Sequence, residues 1–245
     1  MSRPTTATTG TGPGFGPSLP YFLAALVCTF LESAQTFDQL AQAPFFRDGG
    51  WMLPRAFHAE YKWIVYTAPK VFIGIAGGTF LLFFLASFSD KYRLRLQAWR
   101  QPSLLILCSI IFVPLAAAAL KALTGVYSPV DLLPYGGRHP HIGLVEQLWT
   151  YGVTAGGRSF PAGHASGGFA LMAFYYLPLG KPWKRLLFVF GFLVGWGMGL
   201  YQMARGEHFL SHTLTTMFLA LCIITLLNRG IDASGQLLKA FTKKK

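Results

Sequence analysis

Apolar runs close to the roughly 20 residues that a membrane-spanning helix needs recur along this chain and leave few folds open to it. Six can be placed: Tyr21 to Phe37, Trp63 to Phe88, Ser103 to Leu123, Ala165 to Leu179, Leu186 to Ala204 and Phe209 to Leu227. The fourth is short. Composition agrees, since 53% of the 245 residues are hydrophobic and only 12% are charged, against about a quarter charged in a soluble domain. The expected fold class is all-α: a polytopic membrane protein with six transmembrane helices in a bundle. Residues 20–230 make up that membrane domain. Before it, residues 1–19 are rich in Gly, Thr and Pro and are expected to be a disordered cytoplasmic tail. They carry no basic-then-apolar leader pattern, so the first helix reads as an uncleaved anchor. Residues 231–245 form a basic cytoplasmic tail.

A net charge of +12 raises the question of nucleic acid, and the positions of the charges answer it. Lys91, Arg93, Arg95 and Arg100 fall between two apolar runs, Lys181, Lys184 and Arg185 between another two, and Lys239 and Lys243 to Lys245 on the tail. Basic residues confined to alternate short loops are what the positive-inside rule produces, so no nucleic-acid partner is expected. The same rule puts the loop at 89–101, the turn at 180–185 and both termini in the cytoplasm. Segments 38–62 and 124–164, and the turn at 205–208, then lie outside.

Cys28, Cys108 and Cys222 lie inside apolar runs without a spacing motif and read as buried small hydrophobes. Glu32 and Lys70 also fall inside apolar runs, at similar depth. Two readings stand side by side: an ion pair joining the first two spans, or a protonated glutamate with a snorkelling lysine. Segment 38–62 mixes aromatic and charged residues and is too broken to span. It reads either as an interfacial segment or as an ordinary external loop.

Two stretches carry the chemistry, Phe160-Pro-Ala-Gly-His164 and Arg205-Gly-Glu-His208-Phe-Leu-Ser-His212. Pro161 and Gly163 favour a tight turn whose backbone N–H groups approach an anion closely, and the helix that follows presents its positive end. His164 is placed to give a proton to a leaving group. Arg205, His208 and His212, spaced by three and four, share one helical face. Arginine grips phosphate oxygens through its planar fork, and an imidazole beside it can attack phosphorus. Topology brings these residues and Lys121, at the end of the third span, to one outer face.

The order of these elements resembles the type-2 phosphatidic acid phosphatase superfamily, whose pattern is Lys, six residues, Arg-Pro; Pro-Ser-Gly-His; and Ser-Arg, five residues, His, three residues, Asp. The resemblance covers residues 121 to 212. It implies that Lys121 binds phosphate, that Gly163 supplies a backbone donor and that His164 protonates the leaving group. It makes His208, in His208-Phe-Leu-Ser211, the nucleophile, and Arg205 a phosphate clamp. The chain also departs from the pattern. Ser128 stands at the family's arginine, Ala162 at its serine, Gln202 at the arginine six before the nucleophile, and His212 at the aspartate that orients it. Arg138 and Arg158, in the preceding outer loop, are candidates for the missing guanidinium, and a ring-to-ring hydrogen bond from His212 is a candidate for the missing carboxylate. A second register makes His212 the nucleophile and puts Thr216 at the aspartate. His139 and His141, beside Pro140, and also His58, read as solvated loop histidines.

The expected function is hydrolysis of a lipid phosphate or diphosphate at the outer leaflet, in a bacterial inner membrane, through a phosphohistidine and without a metal or cofactor. Phosphotransfer to a second lipid from the same intermediate is the nearest alternative. A zinc enzyme built on His164, His208 and His212 is another, although Glu207 precedes the histidine pair where zinc helices place glutamate inside it. A non-enzymatic anion or lipid transporter is the last.

Overall fold

A computed structural model describes residues 16–33, 35–54, 57, 60, 63–150 and 156–242. Most of the tail at 1–19, the last three residues of the basic tail, the side chain of Glu32 and His58 lie outside them, so the Glu32–Lys70 pairing and the tail expectations fall largely outside the described residues.

Eight α-helices are described: α1 Ser18–Ser33, α2 Thr36–Gln42, α3 Ala68–Ala86, α4 Arg93–Thr124, α5 Leu144–Thr150, α6 Gly163–Ala170, α7 Lys181–Ala204 and α8 Leu210–Thr242. Four of them, α3, α4, α7 and α8, are long and apolar enough to cross a membrane. α1 has 16 residues and is about 24 Å long at 1.5 Å per residue. α6 has only eight residues but continues as a 3₁₀ helix over Leu171–Tyr176. The steeper rise of that form brings the combined rod to about 24 Å as well.

Several boundaries differ from the sequence reading, two of them by many residues. α4 begins at Arg93, so Arg93, Arg95 and Arg100 ride on a helix and not in a loop. Arg100 turns back to close the preceding corner, donating from Nε to Ser87 Oγ at 3.0 Å and from Nη2 to the Ser87 carbonyl. α8 runs well beyond Leu227, to Thr242.

α8 is the central rod and packs on α1, α4 and α6, whereas α3 lies at the edge against α4. The core consists of Phe169, Leu171 and Met172 of the α6 rod, Ile106 and Val113 of α4, and Ala220 and Ile224 of α8. Gly191, Gly195 and Gly199 form a stripe at helical spacing on α7. A Cβ on Gly195 would lie 2.2 Å from Phe169 Cδ1, one on Gly191 2.5 Å from the Met172 nitrogen, and one on Gly199 2.5 Å from Thr213 Cγ2. Small residues of this kind let membrane helices approach closely. Here they seat the short α6 rod between α4, α7 and α8. By contrast, Val71, Phe72, Ile75, Leu81, Leu82 and Leu85 of α3 are exposed large apolar groups, the face expected of a helix against lipid.

Where it is described, segment 38–62 is not a free loop. α2 and a two-stranded hairpin (β1 Phe46–Arg47, β2 Gly50–Trp51) fold back over one end of the bundle. Gln42 Nε2 donates to the Met203 carbonyl at 2.8 Å, and the Leu53 N–H to the Ala204 carbonyl at 3.0 Å. Trp51 stacks among Phe46 and Tyr135 and presses on Gly206, which takes a φ of 74° that favours glycine.

Candidate active site

The C-terminal ends of α4 and α7 and the N-terminal ends of α6 and α8 meet at this capped end. Backbone bonds set their register. Thr124 Oγ1 donates to the Phe160 carbonyl at 2.6 Å, and the Ser159 N–H to the Val126 carbonyl at 2.8 Å, so the segment before α6 is tied to the end of α4. The Ala162 N–H donates to the His212 carbonyl at 3.2 Å, and Thr216 Oγ1 donates to the carbonyls of both Ala162 and His212. Thr216 therefore joins two backbones. Its hydroxyl meets carbonyls and no imidazole.

His208 and His212 are buried, with ring centroids 5.8 Å apart, and the His164 ring lies 6.1 Å from that of His208. The expected ring-to-ring hydrogen bond is not formed. Both Nδ1 atoms instead reach Ser159 Oγ, at 3.0 Å from His208 and 3.2 Å from His212. Ser159 was not identified from the sequence, and it is only 1% exposed. Its hydroxyl has one proton and two lone pairs. The proton goes to the Glu207 carbonyl at 2.6 Å. Both imidazoles must then donate from Nδ1, which leaves each Nε2 as the atom with the free lone pair. Neither Nε2 has a hydrogen-bond partner among the described residues.

The charges around these rings are mostly positive. Lys121 Nζ lies against the N-terminal turn of α6, 3.3 Å from where a Cβ of Gly163 would stand. An ammonium beside a helix N-terminus places two positive groups together, an arrangement that an anion between them relieves. Burial, followed by the neighbouring His212, Lys121 and His164, pushes the His208 imidazole well below its ordinary value. His208 is therefore neutral at pH 7.

Arg205 is held by Gln202 Oε1 at 2.8 Å and by Glu207 Oε1 at 3.2 Å. Gln202, at the position of a family arginine, thus acts here as a rest for Arg205. The buried Nε of Arg205 has no partner among the described residues. Arg138 and Arg158 are exposed and do not line the cavity beside His164. Ser128 precedes a short 3₁₀ turn, Pro129–Asp131, through which the Val130 N–H reaches the Gly206 carbonyl at 2.8 Å.

A second residue missed in the sequence is Asp38 of α2. It is fully buried and accepts from the Ser211 N–H at 2.9 Å and from the Ser211 hydroxyl. It caps the start of α8 from another part of the chain, which fixes the stretch between His208 and His212. Burial raises the Asp38 carboxyl to about 6. Two loop histidines are also less free than expected. His139 stacks on Tyr127 at 3.8 Å, and His141 stacks on Phe209 at 5.1 Å, with burial lowering its basicity.

A zinc site is not favoured by this arrangement: among the described residues no three His, Cys, Asp or Glu side chains gather as metal ligands, and both Nδ1 atoms are engaged by Ser159.

The family model described as the PAP2 superfamily matches residues 102–235, more than half of the chain. The chain belongs to the type-2 phosphatidic acid phosphatase superfamily, a superfamily of phosphatases that act on phosphate esters. No curated protein and no solved structure matches it.

Proposed function

We propose that this protein is a six-span membrane phosphatase that removes phosphate from a lipid phosphate or diphosphate at the outer leaflet of a bacterial inner membrane. In this reading α1 and the α6 rod are the two short spans, and both termini are cytoplasmic. The orientation rests on charge: Lys181, Lys184, Arg185 and Arg100 lie at the end of the bundle away from the histidines, as the positive-inside rule requires of a cytoplasmic face.

The observation that carries the chemistry is the pair of buried imidazole nitrogens, without a hydrogen-bond partner among the described residues, near Lys121 and the α6 N-terminus. His208 Nε2 attacks phosphorus. The N–P bond forms as the bond to the leaving oxygen breaks, and His164 gives that oxygen a proton. Lys121, the Gly163 N–H and the Arg205 Nε–H bear the developing charge on the phosphoryl oxygens. Ser159 accepts the Nδ1–H of the resulting phosphohistidine. His164 then takes a proton from water, whose oxygen displaces His208 and releases phosphate. His212 shares the Ser159 acceptor and supports the geometry.

Purified protein in detergent, incubated with a panel of lipid phosphates, tests this reading. Wild type releases inorganic phosphate and His208→Ala releases none above background. Release from no lipid would remove the phosphatase reading, and undiminished release by His208→Ala would remove the assigned nucleophile.

A further inference from the structure

A second cavity, of about 620 Å³, opens at the end of the bundle away from the histidines. It lies where the start of α7 meets the foot of the α6 rod and the flanks of α4 and α8, and its volume is that of a ligand pocket. Lys181, Lys184 and Arg185 of α7 stand in its lining. Tyr175 and Tyr176, from the 3₁₀ end of the α6 rod, meet ring to ring at 5.5 Å and with Ile231 supply an apolar wall. Asp232 of α8 is the one carboxylate in the lining, and it already accepts from Asn228 Nδ2 at 3.1 Å. Gln101 reaches from α4 to α8, with its Nε2 2.6 Å from where a Cβ of Gly235 would stand, and adds a second amide.

These cations are poorly placed for a helix on its own. A cation at a helix N-terminus opposes the positive end of the dipole. The first turn of α7 has no acidic residue, and its N-cap, Gly180, has no capping side chain. Three cations therefore share one cavity with a helix start and a single carboxylate. The positive-inside rule accounts for their number at this end. It does not account for a cavity that gathers them with two tyrosines and two amides. An anion seated there relieves the repulsion among the cations and between them and the helix end. Trp183 and Leu186, on the same turns, are exposed, as expected of residues at the depth of lipid head groups. We propose that this cavity is a second, non-catalytic site that binds a phosphate ester. The phosphate oxygens meet the lysines and the arginine, and the esterified carbons pack on the tyrosine rings. The membrane, whose anionic lipids present phosphate diesters at this depth, is the nearer source. The site does not depend on the phosphatase reading.

The test uses the full chain in a neutral detergent and reads bound ligand by native mass spectrometry. One arm adds phosphatidylglycerol, a diester without a terminal phosphate to remove. The other adds glycerophosphoglycerol, the same head group without its chains. Phosphatidylcholine is the net-neutral control. Wild type retains one phosphatidylglycerol, and its melting temperature rises by about 5 °C or more at saturation. Lys184→Gln with Arg185→Gln weakens this binding by about 10- to 30-fold. Asp232→Asn keeps every cation and tightens it by about 2- to 5-fold. Ala98→Trp keeps every charge, fills the cavity and abolishes it. Elution as a single species shows which variants have folded, and the last two decide the matter if the first does not fold. Retention of the lipid alone assigns the source to the membrane. Equal retention of the free head group assigns it to a soluble phosphate ester at the same site. Retention of neither ligand, or phosphatidylcholine bound as tightly as phosphatidylglycerol, overturns the proposal. Equal binding by wild type, Asp232→Asn and Ala98→Trp overturns it too.

Discussion

Replacing Ser159 with alanine deletes one oxygen and leaves three groups without their partner. The Glu207 carbonyl loses a donor at 2.6 Å, and the two histidines lose an acceptor at 3.0 and 3.2 Å, all in a site where Ser159 is 1% exposed. An unsatisfied buried group costs about 1–3 kcal/mol, and the rings can turn to recover part of it, so a stability loss of about 2–4 kcal/mol is expected. The effect on rate is larger in kind. Without the shared acceptor nothing holds the proton on Nδ1, and His208 populates the form whose Nε2 carries hydrogen and cannot attack. Loss of the group that sets a catalytic imidazole's tautomer costs about 10²–10⁴ in kcat, with KM little changed. Ser159→Thr retains the hydroxyl and recovers most of the activity. The assay pairs phosphate release with ¹⁵N spectra of histidine-labelled protein, in which Nδ1–H and Nε2–H forms are distinct. If Ser159→Ala keeps kcat within twofold, or if its histidines remain Nδ1-protonated, the positioning argument is refuted.

Other perturbations follow from the same geometry. The Asp38 carboxyl is raised from 3.8 to about 6, so between those values the folded chain holds a proton that the unfolded chain has released. Stability therefore falls as pH rises from about 4 to 6, by about 3 kcal/mol for a shift of 6 − 3.8 = 2.2 at about 1.4 kcal/mol per unit. Thermal melts of Asp38→Asn in detergent lack that contribution; melts of identical pH slope would refute it. His208 is lowered, so its neutral form persists below its ordinary value near 6.5, and the acid limb of kcat/KM falls below that pH. An acid limb above pH 7 in wild type contradicts this. Lys121→Met removes the ammonium beside the α6 N-terminus and lowers kcat/KM by about 10- to 100-fold, while the melting temperature holds. Gly168→Ala places a Cβ 2.6 Å from Gly195 Cα. Backbone on both sides leaves no room, so a loss of about 1–3 kcal/mol is expected in melts.

Much of this was legible from residue type and order because hydrophobic runs and basic loops constrain a membrane chain strongly. The four long helices follow the apolar runs, and Lys121, His164, His208 and His212 lie at the ends of helices that meet at one end of the bundle. The failures have local causes. Arg93 to Arg100 look like a loop because charge ends an apolar run, yet arginine is a good helix former and α4 simply continues below the apolar stretch. The short fourth run is completed by a 3₁₀ stretch, whose greater rise no periodicity count anticipates. Ser159 is one small polar residue in a loop, and only its burial between two imidazoles reveals it. Asp38 meets Ser211 across 173 residues of chain, so no local pattern connects them. One signal was readable and missed: Gly191, Gly195 and Gly199 repeat every four residues, the mark of a helix face built for close approach. His212, at the position of an aspartate, is explained by the structure in the same way, since a serine from another segment serves both rings.

The central claim is that His208 Nε2 forms a covalent bond to phosphorus. Single-turnover mixing of purified protein with a lipid phosphate carrying ³²P at its terminal position, quenched in alkali and followed by peptide mapping, tests it directly. The account predicts label on the peptide containing His208, retained in His212→Ala and lost in His208→Ala. Label on His212 with His208 replaced, or turnover without any labelled protein, would contradict it.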